Sequence, residues 1–379
     1  MRHQDYINDA AELLSRLIAT PSVSRNEKEA ADVMQQQMNT YGLATHREAN
    51  NVWAICPDYD PAKPTILLNA HIDTVKPAVS WVRDPFKPTR EGDQLFGLGS
   101  NDCGGGLVTL LQVFRYMTLR TQPYNLVYLA SAEEEVSGKD GISRVLPLLP
   151  HIDVAIVGEP TGMQPTIAEK GLMVLDVVSH GKSGHAARNE GVNAIYEALD
   201  DMRWIRDFRF EKVSPFLGPT KMTLTVVHAG TQHNVIPDEC RMLVDVRTNE
   251  YYTNEEVYDI VCSHVKSDVH AHSFRLHSSR IDPEHPLVKR CVSLGLQPFG
   301  SPTLSDQALM PFPSLKLGPG ESSRSHSADE FIKISEVDHA FTTYLQVLEG
   351  LEMSNTILSD KSTSARSCNL EKRKTEKER

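Results

Sequence analysis

Thr65-Ile-Leu-Leu-Asn-Ala runs directly into His71-Ile-Asp73, and that junction decides how the rest of the chain is read. Two further apolar runs end the same way. Asn125-Leu-Val-Tyr-Leu-Ala-Ser-Ala leads into Glu133-Glu134-Glu135, and Ile152-Asp-Val-Ala-Ile-Val-Gly leads into Glu159-Pro-Thr. In an open α/β sheet, ligands sit in the crevice beyond the carboxyl ends of the strands. Three strand ends supplying His, Asp and Glu therefore converge on one place. The glycine-rich turn Gly99-Ser-Asn-Asp102-Cys-Gly-Gly-Gly106 and the later Ser325-His326-Ser-Ala-Asp-Glu330 bring the oxygen and imidazole donors to a number sufficient for two metal ions.

Around these runs the pattern is that of an α/β domain. Helical periodicity covers 6–18 and stops at Thr20-Pro21. Ser24-Arg-Asn-Glu27 reads as a capping box opening a second helix to about residue 39. Strands follow at 52–55 and 65–69, and 104–117 reads as a buried helix whose N-terminus lies at Asp102. Strands alternating with helices imply a mixed, mostly parallel sheet covered on both faces. From Gly171 the order changes to strand 172–179, helix 193–208, strands 222–228 and 241–247, helix 254–265 and strand 273–277. That β-α-β-β-α-β order is a ferredoxin-like α+β module. The α/β pattern then returns with a helix at 287–294, a strand at 314–317 and a closing helix over 336–351. The expected organisation is a catalytic domain in two parts, 1–170 and 281–352, an insert at 171–280, and a polar, disordered tail at 353–379.

A length of 379 residues suits two domains. No apolar run approaches the ~20 residues that span a bilayer, so no membrane partner is expected. The N-terminus passes straight into an amphipathic segment, so no signal peptide is expected. Six scattered cysteines read as reduced thiols in a cytoplasm. A net charge of −11 argues against a nucleic-acid partner.

Taken singly, the site residues have plain structural readings. His71 and Asp73 could simply hydrogen-bond at a strand end, Asp102 could cap a helix, and His326 could be a loop histidine. The acidic triplet is harder to dismiss, because acids at a buried strand terminus are costly unless cations or protons compensate. Together the residues are specific. Histidine and carboxylate donors without clustered cysteines favour zinc, cobalt or manganese in a hydrolytic site. Two such ions polarise a carbonyl and acidify a water, and an unligated glutamate beside them can carry its proton to the leaving amine.

The succession His-x-Asp, Gly-x-x-Asp with following glycines, acidic-Glu-Glu-x-x-Gly, Gly-Glu-Pro, Gly-His-Ala and His-x-x-Asp-Glu, over roughly residues 5–350, resembles the dinuclear-zinc M20 amidohydrolases. The resemblance implies two divalent ions, zinc first and cobalt next, with His71, Asp102 and Glu159 on one and Asp102, Glu135 and His326 on the other. Asp102 would bridge, Glu134 would be the general base, and Asp73 would orient His71. A one-residue slip in the triplet would instead name Glu133 and Glu134. The lysine usual after the bridging aspartate is absent, since Cys103 follows Asp102.

The resemblance also makes the insert a lid and dimerisation domain of a homodimer. Within it, His185 of Gly184-His-Ala would reach a partner subunit's site and stabilise the oxyanion. Asn234 could donate to the tetrahedral intermediate. Arg247 could bind a substrate carboxylate or merely pair with Asp245. Gly318-Pro-Gly320 and the following His326 motif are most similar to the acetylornithine deacetylases of that family. This implies hydrolysis of a small Nα-acyl amino acid in arginine biosynthesis, with Arg324 as a candidate contact for a second substrate carboxylate. Succinyl or citrulline substrates, succinyl-diaminopimelate, or a peptidase activity are the alternatives. A non-catalytic relative should have lost at least one ligand or the base, and none is missing.

Overall fold

The structure is a computed structural model that describes residues 1–353 except residue 189. The expected disordered tail lies, apart from Met353, outside the described residues. Helix α1 (His3–Ile18) buries Tyr6, Ile7, Ala10, Leu13, Leu14 and Ile18 along one stripe, and α2 (Lys28–Thr40) follows. The capping box read at Ser24 does not form. Glu27 occupies the N-cap position without a side-chain cap, and Ser24 Oγ donates to Asp73 Oδ2 at 2.7 Å instead. A tertiary acceptor 49 residues away outweighs the local one.

Strands β1 (Thr45–Glu48), β2 (Asn51–Ile55) and β3 (Thr65–His71) lead to helix α3 (Gly105–Met117). Strands β4 (Asn125–Ser131), β5 (Val154–Val157) and β6 (Thr166–Glu169) complete the first half. The reason β3 and β4 read as unbroken apolar runs is plain in their packing. Ile66, Leu68, Ala70, Leu126, Tyr128 and Ala130 face the layer of α1 and α3, while Leu67, Val127 and Leu129 face a second cluster with Trp53 and Ile142. Both faces are covered, as a parallel sheet requires. Helix α3 begins at Gly105 rather than at Asp102. Residues Ser100–Gly104 form an irregular turn in which Asp102 has φ −114° and ψ 99° and caps nothing with its side chain.

A separate four-stranded sheet is built from β7 (Met173–His180), β8 (Lys221–Ala229), β9 (Glu239–Arg247) and β10 (Asp268–Ala271), in the order β8-β9-β7-β10 and antiparallel throughout. Helices α4 (Ala194–Asp207) and α5 (Asn254–His264) pack Ala194, Ala198, Val257 and Val261 on it. This is split βαβ topology. The fourth strand corrects the expectation at 273–277. The alternating residues there form no strand; Asn254 Nδ2 binds the carbonyls of Phe274 and Leu276, and Phe274 packs against Tyr258.

The chain then rejoins the first sheet through β11 (Ser279–Arg280), α6 (Pro286–Ser293), β12 (Phe299–Ser301) and β13 (Ser314–Lys316), and closes with α7 (Ile334–Leu348). The strand order is β1-β2-β4-β3-β5-β13-β6-β11, with β12 alongside β6. Strands β4, β3, β5 and β13 run parallel, so their carboxyl ends lie on one edge.

Candidate active site

That edge carries the acids and imidazoles. His71 ends β3, the acidic triplet follows β4, Glu159 follows β5, and His326 comes from the loop after β13. The irregular turn lifts Asp102 between the two imidazoles. Its Oδ1 lies 3.4 Å from His71 Nε2, and its Oδ2 lies 3.5 Å from His326 Nε2. One carboxylate thus presents a different oxygen to each histidine. Glu159 Oε1 is 3.5 Å from His71 Nε2, and Glu135 Oε2 is 3.0 Å from His326 Nε2. Glu134 Oε2 is 3.9 Å from His71 Nε2 and makes no hydrogen bond. Gly106 permits this approach of turn to strand end, because a Cβ there would lie 1.8 Å from the Gly158 carbonyl.

Three carboxylates fix the framework. Asp73 accepts the main-chain N–H of Glu134 at 3.0 Å and of Glu135 at 3.2 Å, in addition to Ser24. His71 Nδ1 is held by the Asp73 carbonyl at 2.8 Å, with the carboxylate 3.6 Å away. Asp73 therefore orients His71 chiefly through its main chain, and spends its carboxylate on the acidic turn. Glu330 accepts from Gly99, Asn101 and Asp102 at 3.1, 2.7 and 2.8 Å, tying the His326 loop to the Asp102 turn. Burial pushes Glu330 up to about 7. The third, Asp306, is buried and accepts from Ser131 Oγ at 2.6 Å behind β4. Around these carboxylates Glu133, Ser137, His326 and Asp329 hold left-handed φ of 55°, 44°, 58° and 54° without being glycine. Each such residue stores of order 1–3 kcal/mol of strain.

Electrostatically the carboxylates of the cluster, those of Asp102, Glu134, Glu135 and Glu159, outnumber its two imidazoles. Burial first, then the Asp102 charge, pushes Glu159 up to about 8. Burial, with Glu159, Asp306 and Glu135 adding to it against the opposing His71 charge, holds Glu134 well above the carboxylate range. The hydrogen bond that His326 donates to Glu135 raises the imidazole to about 9. Glu135 Oε1 and Glu159 Oε1 are buried and make no hydrogen bond. Neighbouring donor atoms about 2.0–2.1 Å from a tetrahedral ion lie roughly 3.3 Å apart, and the separations of 3.0–3.5 Å above match that spacing. The donors of His71, Asp102 and Glu135 lie within 4.8 Å of one another, as do those of His71, Cys103 and Glu159. The residues fit divalent cations. Cys103 has a different use: its sulfur accepts from His71 N at 3.2 Å and approaches His71 O at 3.6 Å, and burial keeps the thiol protonated.

A cavity of about 530 Å³ opens beside the cluster, lined by Asp102, Glu134, Glu135, Glu159 and His326 among others. The remaining residues singled out in the sequence are not among its lining. His185 and Asn234 are exposed and come together at one edge of the insert, where Gly184 and His185 pair with Ile236 and Val235 and the Ala186 N–H donates to the Asn234 carbonyl. Arg247 is bidentate on Asp245 at 2.9 and 3.0 Å. Arg324 is bidentate on Glu336 at 2.8 and 2.6 Å and lies over Phe331. Sequence reasoning missed Lys316, buried in the cavity wall, and Glu27, buried beneath the acidic turn with both oxygens unpartnered. A lysine within Ser314-Leu-Lys-Leu317 was the available signal for the first.

A carboxylate shared between two His-carboxylate pairs, at the strand ends of an α/β domain, defines the class of metal-dependent amide hydrolases. The chain belongs to the peptidase family M20/M25/M40, whose profile matches residues 67–350. It is 29% identical over 374 residues to the acetylornithine deacetylase of Pectobacterium carotovorum, covering 87% of this chain and 97% of that one. The acetylornithine deacetylase of Klebsiella pneumoniae is also 29% identical, over 377 residues, with the same coverage. In fold it is similar to the aminopeptidase PepT of Bacillus cereus, at TM-score 0.73 and 17% identity, covering 93% of this chain and 99% of that one. The Bacillus subtilis YXEP protein, a dinuclear metal-binding M20 peptidase, gives TM-score 0.67 at 17% identity, covering 91% and 97%. The five cysteines among the described residues are free, and no described helix is long and apolar enough to cross a membrane.

Proposed function

We propose that this chain removes the Nα-acyl group of an acylated amino acid, releasing carboxylate and amine, in the arginine-forming role that its relatives' names suggest. The observation that carries this reading is the division of Asp102, one oxygen toward His71 and the other toward His326, with the Glu134 carboxylate near His71 and without a hydrogen bond. His71, Asp102 and Glu159 would hold one cation and Asp102, Glu135 and His326 the other, zinc being the ion that this nitrogen and oxygen set suits, with cobalt a substitute. When bound, the pair supplies Lewis acidity to the scissile carbonyl and to the attacking water. Glu134 takes the water's proton and returns it to the departing nitrogen. Asp73 keeps Glu134 in reach by fixing the main chain of its turn. Segment 171–280 acts as lid and dimerisation domain of a cytoplasmic homodimer, and brings His185 and Asn234 to the oxyanion. Arg247 would serve a substrate carboxylate only by leaving Asp245. Arg324 is supported less, because Glu336 takes both arms of its fork.

The test is a panel of Nα-acyl amino acids and dipeptides with zinc- or cobalt-loaded protein. Acyl amino acids should turn over, chelator dialysis should abolish turnover, and either ion should restore it. Full activity in metal-free protein, or activity on dipeptides alone, overturns the reading.

A further inference from the structure

The cavity wall contains a charge that the chemistry above does not use. Among the described residues lining the cavity, Lys316 is the only lysine or arginine. It is 3% exposed and sits on β13 next to Leu315 and Leu317, both fully buried. An ammonium is taken out of water only where something pairs with it. Its pairing is incomplete: Nζ donates to the Thr303 carbonyl at 3.2 Å and meets Glu169 Oε2 at 3.0 Å, which uses two of three N–H bonds. Glu169, by contrast, is fully served, receiving Ser305 Oγ at 2.9 Å and Ser305 N at 3.3 Å as well.

Directly opposite Lys316 in the strand register lies Thr166. It also lines the cavity, and its Oγ1 is buried with no partner. Beside them the hydroxyls of Ser301 and Thr303 share one hydrogen bond at 2.8 Å, and Ser301 Oγ also reaches the Thr303 carbonyl at 3.3 Å, so this pair satisfies itself. Phe299, Pro302 and Leu304 complete this part of the lining with apolar surface. Unused donors from an ammonium and an orphaned hydroxyl, beside surface suited to methylenes, await an acceptor with negative charge. The other charged lining group outside the ligand cluster, Glu321, is exposed and screened by solvent.

We propose that Lys316 and Thr166 form an anion subsite, so that the substrate carries a second carboxylate besides its α-carboxylate. This rests on the reading of the chain as an Nα-acyl amino acid hydrolase and narrows it. The extra carboxylate can end the acyl chain, as in a succinyl group, or the amino-acid side chain, as in glutamate. A small neutral acyl group on a neutral amino acid would leave Lys316 and Thr166 facing nothing, and a polar subsite left unpaired discriminates strongly against the ligand that does so.

The experiment compares near-isosteric pairs on the metal-loaded enzyme: N-succinyl against N-succinamoyl ornithine, and N-acetylglutamate against N-acetylglutamine. The carboxylate member should be favoured in kcat/KM by about 10–100-fold in one pair, the worth of one or two charge-assisted hydrogen bonds, and that pair identifies which end carries the charge. Thr166→Val should reduce the preference roughly 10-fold. The double variant Lys316→Met with Glu169→Gln, which leaves no buried charge unpaired, should abolish it. Equal rates within both pairs, or a preference that survives both variants, overturns the subsite. Titration calorimetry with free succinate and glutarate against their monoamides reads the same subsite without turnover. If no amide is hydrolysed, the hydrolase reading fails. Preferential dianion binding lost in the variants then still supports the subsite, and its absence sinks it.

Discussion

Asp73→Asn is the sharpest test of how Glu134, the proposed base, is held, because it keeps shape and removes only an acceptor. Asp73 is buried, and its two oxygens receive three donors: the N–H groups of Glu134 and Glu135, and the Ser24 hydroxyl. Asparagine can offer one oxygen, so whichever way the amide turns, at least one main-chain N–H of the acidic turn meets another N–H. An unsatisfied buried donor costs about 1–3 kcal/mol, and loss of charge assistance on the surviving bonds costs about 1 kcal/mol each. The sum, about 3–5 kcal/mol, falls on the turn that carries both Glu134 and Glu135. Against a typical total stability of about 5–15 kcal/mol, the variant should fold and melt lower. Its larger effect should be kinetic, since displacing a catalytic group by about 1 Å costs on the order of 10²-fold. Steady-state kinetics, metal analysis by mass spectrometry and thermal melts separate these. The expected pattern is kcat down ~10²-fold with weakened metal retention. Wild-type kcat and metal content in a properly folded Asp73→Asn protein would refute the argument that this carboxylate positions the turn.

Glu134→Gln should retain near wild-type metal content while losing ~10²–10⁴-fold in kcat, whereas Glu135→Ala should lose a metal ion; the opposite distribution shows that the two roles are exchanged. Mixing His185→Ala chains with Glu134→Ala chains should regenerate activity after subunit exchange, because one site in each heterodimer has its own Glu134 and a partner's His185; verified exchange without recovery places His185 outside catalysis in trans. Burial, with the Asp73 and Glu133 charges adding to it, pushes Glu27 up to about 7 from an ordinary 4.5. The folded pKa being the higher one, the stability from neutral Glu27 is complete below pH 4.5 and is lost as pH rises to about 7. Denaturation of Glu27→Gln at pH 5 and 8 should therefore show it gaining on wild type at the higher pH, and parallel curves would contradict this.

The strand ends carrying the acids and the imidazole were legible because β3, β4 and β5 are buried on both faces, which leaves few polar residues within them apart from Asn69 and so makes charged groups stand out where each strand leaves the sheet. What stayed illegible depends on partners far along the chain. Lys316 lies within the strand expected at 314–317, and nothing nearby in the sequence marks its partner Glu169. Ser24 has a local cap geometry available and prefers Asp73. Arg324 stands two residues from His326, yet Glu336 in the first turn of α7 takes both arms of its guanidinium. The strand expected at 273–277 shows that alternation alone does not choose a sheet edge: Val269 and Ala271 hold that position by pairing with β7.

The Glu330 tie has a consequence for the order in which the protein is made. Glu330 grips the main chain at Asn101 across 229 residues of sequence. A ribosome delivers the Asp102 turn, the acidic triplet and Glu159 first, then the whole insert, and only afterwards His326 and Glu330. Until that point the turn holding Asp102 has three unsatisfied N–H groups and one of its two histidines is missing. On the proposed ligand set, a chain terminated before His326 therefore cannot assemble a complete site, and hydrolytic competence waits for the final stretch of synthesis.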